Sequence, residues 1–347
     1  MPTSCTSHVL VTGGSGFIGS HTVLELINQG HKVVVVDNLS NSCEEPLRRI
    51  EKLAGLNEES LPFHNVDLAN IDDLRAVFKQ YNFSSVIHFA ALKAVGESVR
   101  VPLAYYRNNI TGTLNLMDLM IEFGVKDIVF SSSATVYKSD PDGRPFREDS
   151  ELGCTSPYGR TKLYMESIIR DVVGAESGWN AIMLRYFNPT GAHESGTMGE
   201  DPCQIPNNLM PYVSQVAIGK LDNVHVFGND YNTRDGTGVR DYIHVMDLAE
   251  AHVIALERLT GNHGYEVFNL GSGAGQSVLE MIDAMSIACG HKIPYVVDPR
   301  RSGDIDTIVC DPKKANEVLG FKVSRDLTKM CTDLWRWQVA NPEGYNQ

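Results

Sequence analysis

Residues 8–19 read HVLVTGGSGFIG, a short apolar run that leads directly into a cluster of glycines. The run His8–Thr12 predicts a buried strand, and the pattern over residues 17–29 predicts a helix that ends at Gly30. Glycines at this junction allow a tight turn, close approach of a pyrophosphate and packing of the helix on the strand. The stretch therefore predicts a dinucleotide-binding strand–turn–helix unit, with Gly13, Gly16, Phe17, Ile18 and Gly19 at the cofactor.

The next predicted strand, residues 32–36, ends in Asp37, about 20 residues after Gly16. A carboxylate at this place bonds the ribose hydroxyls and repels a 2′-phosphate. No arginine follows within Asn38, Leu39, Ser40 and Asn41, so the sequence favours NAD over NADP.

Tyr158 and Lys162 lie four residues apart in the segment SPYGRTK, residues 156–162. On a helix this spacing places both side chains on one face, and Ser156 with Pro157 gives a suitable helix start. A neighbouring ammonium and the positive end of a helix both favour the phenolate form. We therefore expect a lowered pKa for Tyr158 and a role as a base, although Tyr-x-x-x-Lys alone also recurs by chance.

The bulk properties exclude several classes of function. A net charge of −13 and the lack of a basic run argue against binding of nucleic acid or anionic membranes. The chain shows neither a signal-peptide pattern nor an apolar run of about 20 residues. The cysteines form no Cys-x-x-Cys pair and no zinc spacing, so we expect reduced thiols, no metal and a cytoplasmic protein. They are Cys5, Cys43, Cys154, Cys203, Cys289, Cys310 and Cys331.

Strand-like and helical patterns alternate up to about residue 187, which predicts a Rossmann-type, doubly wound parallel sheet of α/β class. The further strands are expected over residues 63–67, 86–90, 127–132 and 180–186, and the helices over residues 71–80, 102–123 and 157–173. We assign residues 1–187 to an NAD-binding domain and residues 188–347 to a smaller α/β substrate lobe. Segments around residues 236–260 are allowed to return to the first domain.

The glycine run, Asp67, Asn109-x-x-Gly112-Thr113, residues 131–133 and the Tyr158/Lys162 pair resemble the extended short-chain dehydrogenase/reductases. Longer matches narrow the resemblance to the UDP-galactose (UDP-glucose) 4-epimerases of that family. They are HFAALKAVGES (88–98), SSSATVY (131–137), RYFNPTGAH (185–193), PNNLMPY (206–212) and GTGVRDYIHV (236–245). The similarity extends over nearly the whole chain.

This resemblance implies an isomerase that interconverts UDP-galactose and UDP-glucose at C4, through a transient 4-keto sugar and enzyme-bound NADH, in galactose metabolism. Tyr158 is then the base, Ser133 relays the proton or orients the sugar oxygen, and Lys162 holds ribose hydroxyls. The family also implies a homodimer, with the helices over residues 102–123 and 157–173 as the interface.

The resemblance carries over further binding residues. The additional cofactor positions are Asp37, Asn38, Leu39, Ser40, Asn41, Asp67, Leu68, Phe89, Lys93, Lys162 and Tyr186. The substrate positions are Ser133, Ala134, Thr135, Tyr186, Phe187, Asn188, Asn207, Asn208, Leu209, Phe227, Arg240, Arg301 and Asp304. Arg240 and Arg301 suit a diphosphate because a guanidinium presents a fork of donors, and Arg300 is an alternative donor. His88, within an apolar run, is expected to be a core histidine.

Two positions depart from the family pattern or leave specificity open. Lys138 stands where the family usually has glycine, and the polar segment of residues 139–148 follows it. Ile308, four residues after Asp304, is intermediate between the large side chain that blocks a C2 acetamido group and the small one that admits it. UDP-N-acetylgalactosamine and UDP-N-acetylglucosamine therefore remain possible substrates.

Other enzyme classes and a non-enzymatic regulator are alternatives to the epimerase. A 4,6-dehydratase needs a pair of acid/base carboxylic groups where this chain has Ala134 and Thr135. A net dehydrogenase or reductase releases NADH, and an NAD-sensing regulator usually lacks the Tyr/Lys pair. A UDP-glucuronate epimerase or decarboxylase is the nearest alternative, because it shares the ketone intermediate.

Overall fold

A computed structural model of the chain describes residues 7–345, except residues 141, 203–205 and 302–303. Cys5 and Cys203 lie outside the described residues. Among the helices described, none combines the length and the apolar character needed to cross a membrane. Within the same residues, no group of three or more His, Cys, Asp or Glu side chains could hold a metal ion.

Strands and helices alternate in the first part of the chain. In order they are β1 His8–Thr12, α1 Phe17–Asn28, β2 Val33–Asp37, α2 Glu45–Leu53, β3 Phe63–Asn65, α3 Ile71–Gln80, β4 Phe83–His88, α4 Val95–Arg100, α5 Pro102–Tyr105, α6 Thr111–Phe123, β5 Asp127–Ser133, α7 Pro157–Ala175 and β6 Asn180–Tyr186. A π-helical turn, Tyr106–Ile110, joins α5 to α6, and a 3₁₀ turn, Ala134–Val136, follows β5.

The later part has shorter strands. They are interspersed with helices as β7 Asn188–Thr190, α8 Leu209–Ala217, β8 Val224–Phe227, β9 Val239–His244, α9 Val245–Arg258, β10 Tyr265–Leu270, β11 Gly275–Ser277, α10 Val278–Cys289, β12 Tyr295–Asp298, β13 Thr307–Ile308 and α11 Leu327–Ala340. A 3₁₀ turn, Leu259–Gly261, and a π-helical turn, Ala315–Leu319, complete the regular elements of the described residues.

The largest sheet has seven strands in the order β10-β6-β5-β4-β1-β2-β3. The pairs β1–β2, β1–β4, β2–β3 and β4–β5 are parallel, as expected for a Rossmann-type sheet, so the predicted fold class is confirmed. Parallel strands place all their carboxyl ends at one edge of the sheet, where such folds bind ligands. The position of β1 next to both β2 and β4 marks the point at which the strand order reverses.

The chain divides into two units. The first comprises residues 1–136, 154–185 and 249–268, and the second comprises residues 137–153, 186–248 and 269–347. The second unit contains a sheet in which β9 pairs with β7, β11 and β13, and a two-stranded sheet of β8 and β12. The division into an NAD-binding domain before residue 188 and a substrate lobe after it stays a prediction.

Local sequence explains the boundaries that were predicted well. Helix α7 begins where Ser156 caps it, because the Ser156 hydroxyl accepts a hydrogen bond from the Gly159 N–H at 3.1 Å. Pro157 occupies the first turn, where its missing N–H costs no hydrogen bond. Strands β1 and β6 and helix α3 have the predicted bounds.

Other boundaries differ from the prediction. The strand predicted over residues 86–90 runs over Phe83–His88, and the one over residues 63–67 ends at Asn65. The helix predicted over residues 102–123 changes to π-helical hydrogen bonding at Tyr106–Ile110. Helices α2 and α4 and strand β10, the outer strand of the large sheet, were not predicted because their apolar patterns are short.

The core of the first unit packs side chains of the sheet against the helices. Leu10, Val34, Val86 and Ile128 come from the strands and are completely buried. Facing them in the same cluster are Leu74, Phe78, Leu116, Met120, Met165 and Ile169, from helices α3, α6 and α7. The same face of α7 that buries Met165 and Ile169 also buries Tyr158 and Lys162, so the core fixes their direction.

A buried ion pair connects α7 to β6. Arg185 donates from Nε to Glu166 Oε1 at 2.9 Å and from Nη2 to Glu166 Oε2 at 2.7 Å. The hydroxyl of Ser132 also donates to Glu166 Oε1, and all three residues are at most 3% exposed. A buried ion pair requires such complete hydrogen bonding, because desolvation of the two charges is costly.

We expect Glu166→Gln to lower the free energy of unfolding by about 3–5 kcal/mol, because it leaves the buried guanidinium of Arg185 without its counter-charge. Urea unfolding of the purified protein measures the change. The matched control is Glu122→Gln, which removes the partner of Arg75 in an exposed pair and is expected to change stability far less. Equal effects of the two substitutions would contradict the expectation.

Candidate functional site

The glycine loop between β1 and α1 has the close packing that a dinucleotide turn needs. Gly13 has a φ of +71°, and a Cβ there would lie 2.7 Å from the backbone nitrogen of Ala90. A Cβ on Gly19 would lie 2.2 Å from the carbonyl oxygen of Gly13. Both positions therefore require glycine, the first for backbone conformation and close approach, the second for packing of the helix on the loop.

The start of α1 is free of competing side chains. Gly16 is the N-cap residue and offers no side-chain cap, and the first turn carries no acidic residue. The N–H groups of Phe17, Ile18 and Gly19 therefore lie at an uncapped helix start, which suits a phosphate group. These are the loop residues that the sequence assigned to the cofactor.

Asp37 ends β2 and is only 7% exposed. Its carboxylate accepts hydrogen bonds from the N–H groups of Ser15 and Leu39, at 3.1 and 3.0 Å, and from the Ser42 hydroxyl at 2.9 Å. These bonds hold the carboxylate beside the glycine loop, as a ribose-binding acid requires. Leu39 has a φ of +54°, a conformation uncommon for a residue with a side chain.

The remaining predicted cofactor residues of this unit follow the ends of neighbouring strands. Asp67 and Leu68 follow β3, and Asp67 accepts a hydrogen bond from the Asn38 side-chain amide at 3.2 Å. Asn38 in turn accepts from the N–H of Ser40 at 3.1 Å, and Asn41 is exposed on the same loop. Phe89 follows β4, with its ring 4.7 Å from that of His252. The structure thus brings Asp37, Asn38 and Asp67 to one edge of the sheet.

A chain of hydroxyl groups ends at Tyr158. The N–H and the hydroxyl of Thr135 donate to Ser133 Oγ, at 3.2 and 3.0 Å. Because both donors point at the Ser133 oxygen, the proton of Ser133 is directed elsewhere, and Ser133 hydrogen-bonds the phenol of Tyr158. Ser133 ends β5, Ala134 begins the following turn, and Tyr158 lies in the first turn of α7.

Lys162 lies on the same face of α7 and is 3% exposed. Its ammonium donates to the carbonyl oxygen of Ser131 at 2.6 Å and lies 5.0 Å from the centre of the Phe130 ring. Burial lowers the pKa of Lys162 to about 7, and the charge of Glu166, one turn further along the helix, opposes this shift.

The expected lowering of the Tyr158 pKa by Lys162 is not what the structure shows. Burial raises the pKa of Tyr158, and the hydrogen bond from Ser133 and the charge of Lys93 oppose that rise. The desolvation of a phenol that is 9% exposed outweighs both effects. The cation that acts on Tyr158 here is Lys93, which the sequence assigned to the cofactor phosphates.

His88 is a core histidine, as predicted. It is 1% exposed, and its ring nitrogens lie 2.7 Å from the Thr12 hydroxyl and 3.0 Å from the Thr113 hydroxyl. Burial, followed by the charge of Lys162, lowers its pKa to about 3, so the ring is neutral near pH 7.

Asn109 was quoted as part of a motif but was not predicted to belong to the site. It lies in the π-helical turn and is 1% exposed. Its side chain accepts from the N–H of Leu92 at 2.8 Å and donates to the Leu92 carbonyl and the Thr161 hydroxyl. Asn109 thus ties the loop before Lys93 to the helix of Lys162. Its burial and the π-helical turn are visible only in the structure, and the Asn109-x-x-Gly112-Thr113 motif was the available sequence signal.

In the second unit, arginines and an aromatic ring surround one acidic side chain. Arg301 Nε donates to Asp304 at 2.9 Å, and its guanidinium lies 4.8 Å from the centre of the Phe227 ring. Arg240, in β9, donates to the carbonyls of Val239 and Ile305 at 2.9 and 3.1 Å. Burial lowers the pKa of Arg240, while the charge of Asp304 raises it. The structure therefore brings together Phe227, Arg240, Arg301 and Asp304.

The other predicted substrate residues of the second unit lie at starts and ends of elements. Tyr186 and Phe187 follow one another at the end of β6, and Asn188 begins β7, where its amide donates to the Asp241 carbonyl at 2.8 Å. Asn207 and Asn208 are exposed before α8, and Leu209 is its first residue. Asn208 makes no side-chain cap to this helix.

Lys138 anchors the segment in which the chain departs from the family pattern. Its N–H donates to the Glu151 carbonyl at 2.9 Å, and its ammonium lies 2.8 Å from the Glu151 carboxylate. The segment also pairs Tyr137 with Leu152 and Phe146 with Cys310 through isolated β-bridges. Residues 137–153 thus belong to the second unit, in which Phe146 bridges to Cys310.

Comparison with known proteins gives the family. The family described as GDP-mannose 4,6 dehydratase matches residues 10–334. The UDP-glucose 4-epimerase of Bacillus subtilis is 55% identical over 97% of this chain and 98% of its own length. The human UDP-glucose 4-epimerase is 54% identical over the same shares of the two chains.

Solved structures agree with this assignment. UDP-glucose 4-epimerase from Bifidobacterium longum, in complex with NAD⁺ and UDP, superposes with a TM-score of 0.93 at 49% identity, covering 97% of this chain and 100% of that one. The enzyme from Stenotrophomonas, with bound NAD and a formylated UDP-arabinopyranose, has a TM-score of 0.93 at 46% identity and covers 97% and 99%. The chain therefore belongs to the UDP-glucose 4-epimerases of the extended short-chain dehydrogenase/reductase family.

Proposed function

We propose that this protein is an NAD-dependent epimerase that interconverts UDP-galactose and UDP-glucose at C4 of the hexose. The observation that carries the proposal is the hydrogen-bonded series Thr135, Ser133 and Tyr158, which ends one helical turn from Lys162. A phenol held by a hydroxyl donor is suited to take a proton from a sugar alcohol. The same unit carries a glycine loop whose packing fits a dinucleotide.

In the proposed reaction, Tyr158 takes the proton of the 4-hydroxyl group while C4 is oxidised to a ketone. The glycine loop and Asp37 would hold NAD, which would supply a reversible hydride acceptor for C4. Ser133 donates to the oxygen of Tyr158, which favours the phenolate, and Thr135 keeps Ser133 in the orientation for that bond. Lys162 is held by Ser131 in a position from which an ammonium could also bond ribose hydroxyls.

Inversion at C4 requires that the 4-keto hexose turn before the hydride and proton return. The proposed pivot is the diphosphate, held by Arg240 and Arg301, because a guanidinium binds phosphate oxygens through two parallel hydrogen bonds. Stacking of Arg301 on Phe227 and its bond to Asp304 keep this guanidinium in one orientation. If most of the binding contacts are made to the nucleotide, the hexose needs few contacts of its own and can rotate.

Turnover of hexoses that carry a C2 acetamido group would depend on the space beside Ile308. This residue is half-buried in β13 and pairs in register with Arg240 of β9. One of the solved structures similar to this chain is a UDP-Glc/GlcNAc 4-epimerase from Campylobacter jejuni, which is 35% identical with a TM-score of 0.83. We propose that the side chain of Ile308 decides between the two classes of substrate.

A 4,6-dehydratase reaction is disfavoured despite the description of the matched family. Elimination of water across C5 and C6 requires acid/base groups next to Ser133, and this chain has Ala134 and Thr135 there. The Thr135 hydroxyl is moreover engaged with Ser133. A UDP-glucuronate epimerase or decarboxylase shares the ketone intermediate. It differs from the proposed enzyme in its substrate, which is UDP-glucuronate and not UDP-galactose.

We also propose a homodimer formed through the helices over residues 102–123 and 157–173. A groove of about 550 Å³ lies between them, with Tyr106, Ile110, Tyr164 and Ile168 among its lining residues. Nearby apolar side chains are exposed, including Val99 at 62%, Leu103 at 63% and Tyr164 at 48%. Exposed apolar surface of this kind is typical of an interface between subunits.

A cytoplasmic location is proposed from the state of the cysteines. Cys154, Cys289, Cys310 and Cys331 are free thiols in the described residues. Burial raises the pKa of Cys331 to about 12, so this thiol is inert. Dispersed free thiols are typical of a reducing compartment.

The proposed function is tested with purified protein and UDP-galactose, without added NAD. We expect UDP-glucose to form to equilibrium with no net NADH, because each cycle restores the cofactor. A parallel assay with UDP-glucuronate tests the alternative function, a UDP-glucuronate epimerase or decarboxylase. Accumulation of a 4-keto product or of free NADH would refute the epimerase assignment.

Tyr158→Phe is expected to lower kcat by about 10²–10⁴-fold, because it removes the proton acceptor. Bound NAD, measured after protein denaturation, is expected to remain at the wild-type ratio. Tyr295→Phe, which removes the hydroxyl of an exposed tyrosine, serves as the control and should leave kcat unchanged. Normal turnover by the Tyr158 variant would disprove its role as the base.

Tyr164→Asp is expected to weaken dimer formation by at least about 30-fold, because it places a charge on the ring that lines the groove. Sedimentation velocity over a range of protein concentrations measures the effect. Ile287→Lys alters a side chain that is 80% exposed on α10 and should not change association. If the wild type is monomeric throughout, the proposed interface is wrong.

A further inference from the structure

Tyr231 is a buried tyrosine whose hydroxyl has no hydrogen-bond partner among the residues that the structure describes. Its side chain is only 5% exposed, and it belongs to the loop between β8 and β9 in the second unit. Buried polar groups nearly always have a partner, since an unpaired one retains the full cost of its desolvation. Tyr231 belongs to none of the sites expected from the sequence.

The backbone and the ring of Tyr231 are both held in place. Its N–H donates to the Gly236 carbonyl at 2.9 Å, and its carbonyl accepts from the Thr233 N–H at 2.8 Å. A Cβ on Gly228, which has a φ of +85°, would lie 2.7 Å from Cε2 of the ring. The direction of the hydroxyl is therefore set by the packing of the loop.

A cation covers the face of the ring. The guanidinium of Arg300 lies 4.0 Å from the ring centre, a distance at which cation–π attraction is strong. Arg300 is itself held by Asp230, with Nε 2.6 Å from the carboxylate. Arg300 is thus held over Tyr231 by Asp230, as Arg301 is held over Phe227 by Asp304.

The hydroxyl of Tyr231 lies within the group of charges described for the candidate substrate site. Its phenol interacts electrostatically with the carboxylate of Asp304 and with the guanidinium groups of Arg300, Arg240 and Arg301. Arginine offers donors only, so none of these cations can accept the proton of the phenol. The carboxylate of Asp304 accepts from Arg301. An anionic oxygen drawn in by the arginines would be the missing acceptor.

We propose that the hydroxyl of Tyr231 donates a hydrogen bond to a phosphate oxygen of the UDP-hexose, as a third contact beside Arg240 and Arg301. The inference rests on the proposed function, because it takes a nucleoside diphosphate as the ligand of the second unit. Tyr231 is a binding residue in this account and takes no part in proton transfer. It adds a neutral donor that fixes the orientation of the pivot without further charge.

The test compares the wild type with Tyr231→Phe, which removes only the hydroxyl, and with the control Tyr295→Phe. Calorimetric titrations with UDP and with uridine give the dissociation constants. We expect Tyr231→Phe to weaken UDP binding about tenfold and uridine binding less than twofold, since uridine lacks phosphate. The KM for UDP-galactose is expected to rise with little change in kcat, and the control should match the wild type.

Thermal unfolding without nucleotide supplies a second criterion. Because the hydroxyl has no partner in the described protein, its removal should leave the melting temperature unchanged or raise it. A lower melting temperature would reveal an internal partner and would overturn the inference. Unchanged UDP affinity, or equal weakening of UDP and uridine, would overturn it as well.

The outcomes separate this inference from the proposed function. A wild type that binds UDP and does not convert UDP-galactose would refute the epimerase proposal and leave the binding comparison valid. A wild type that converts UDP-galactose, with a Tyr231 variant that binds UDP equally well, would refute the role of Tyr231 alone. Absence of UDP binding by the wild type would overturn both.

Discussion

Three consecutive serines at the end of strand β5 hold the reactive end of helix α7 in place. The carbonyl of Ser131 accepts from the ammonium of Lys162, and the hydroxyl of Ser132 donates to Glu166. The hydroxyl of Ser133 bonds the phenol of Tyr158. All three serines thus bond residues of α7, Ser131 through its backbone carbonyl and Ser132 and Ser133 through their side chains. The pairing of β5 with β4 thereby determines where the phenol and the ammonium lie.

This arrangement places ionisable groups in the core, where unpaired charges would be very costly. Glu166 and Arg185 compensate each other through two hydrogen bonds, and Ser132 provides a third bond to the carboxylate. Lys162 has a carbonyl and the face of Phe130. Because each group depends on the others, the network constrains the geometry of the site more than it adds to stability.

Much of this site follows from short patterns in the sequence. The glycine loop, Asp37 and the start of α7 are local features, and each appears where its residues predicted it. Other features depend on contacts between segments that are distant in the sequence. They are the bond of Lys162 to Ser131, the ion pair of Arg185 with Glu166 and the edge strand β10. Local periodicity contains no information about such pairing.

The direction of the pKa shift of Tyr158 was predicted wrongly for a related reason. A sequence shows which charges are near one another along a helix, but it does not show how completely water is excluded from them. Burial raises the pKa of Tyr158 and lowers that of Lys162, so desolvation opposes the charged form of both groups. Burial changes the two pKa values more than the neighbouring charges do, and the prediction from residue spacing had considered only the charges.

The two shifts have a joint consequence for the proposed chemistry. The charges that act on the two groups come from other residues. Lys93 acts on Tyr158 in the direction of the phenolate, and Glu166 acts on Lys162 in the direction of the ammonium. Each of these charges therefore favours the ionised form of its own partner, while burial favours the neutral form of both groups. A reversible reaction requires one oxygen to take up and to return a proton, so the proposed role of Tyr158 depends on Ser133 and Lys93 to offset its burial.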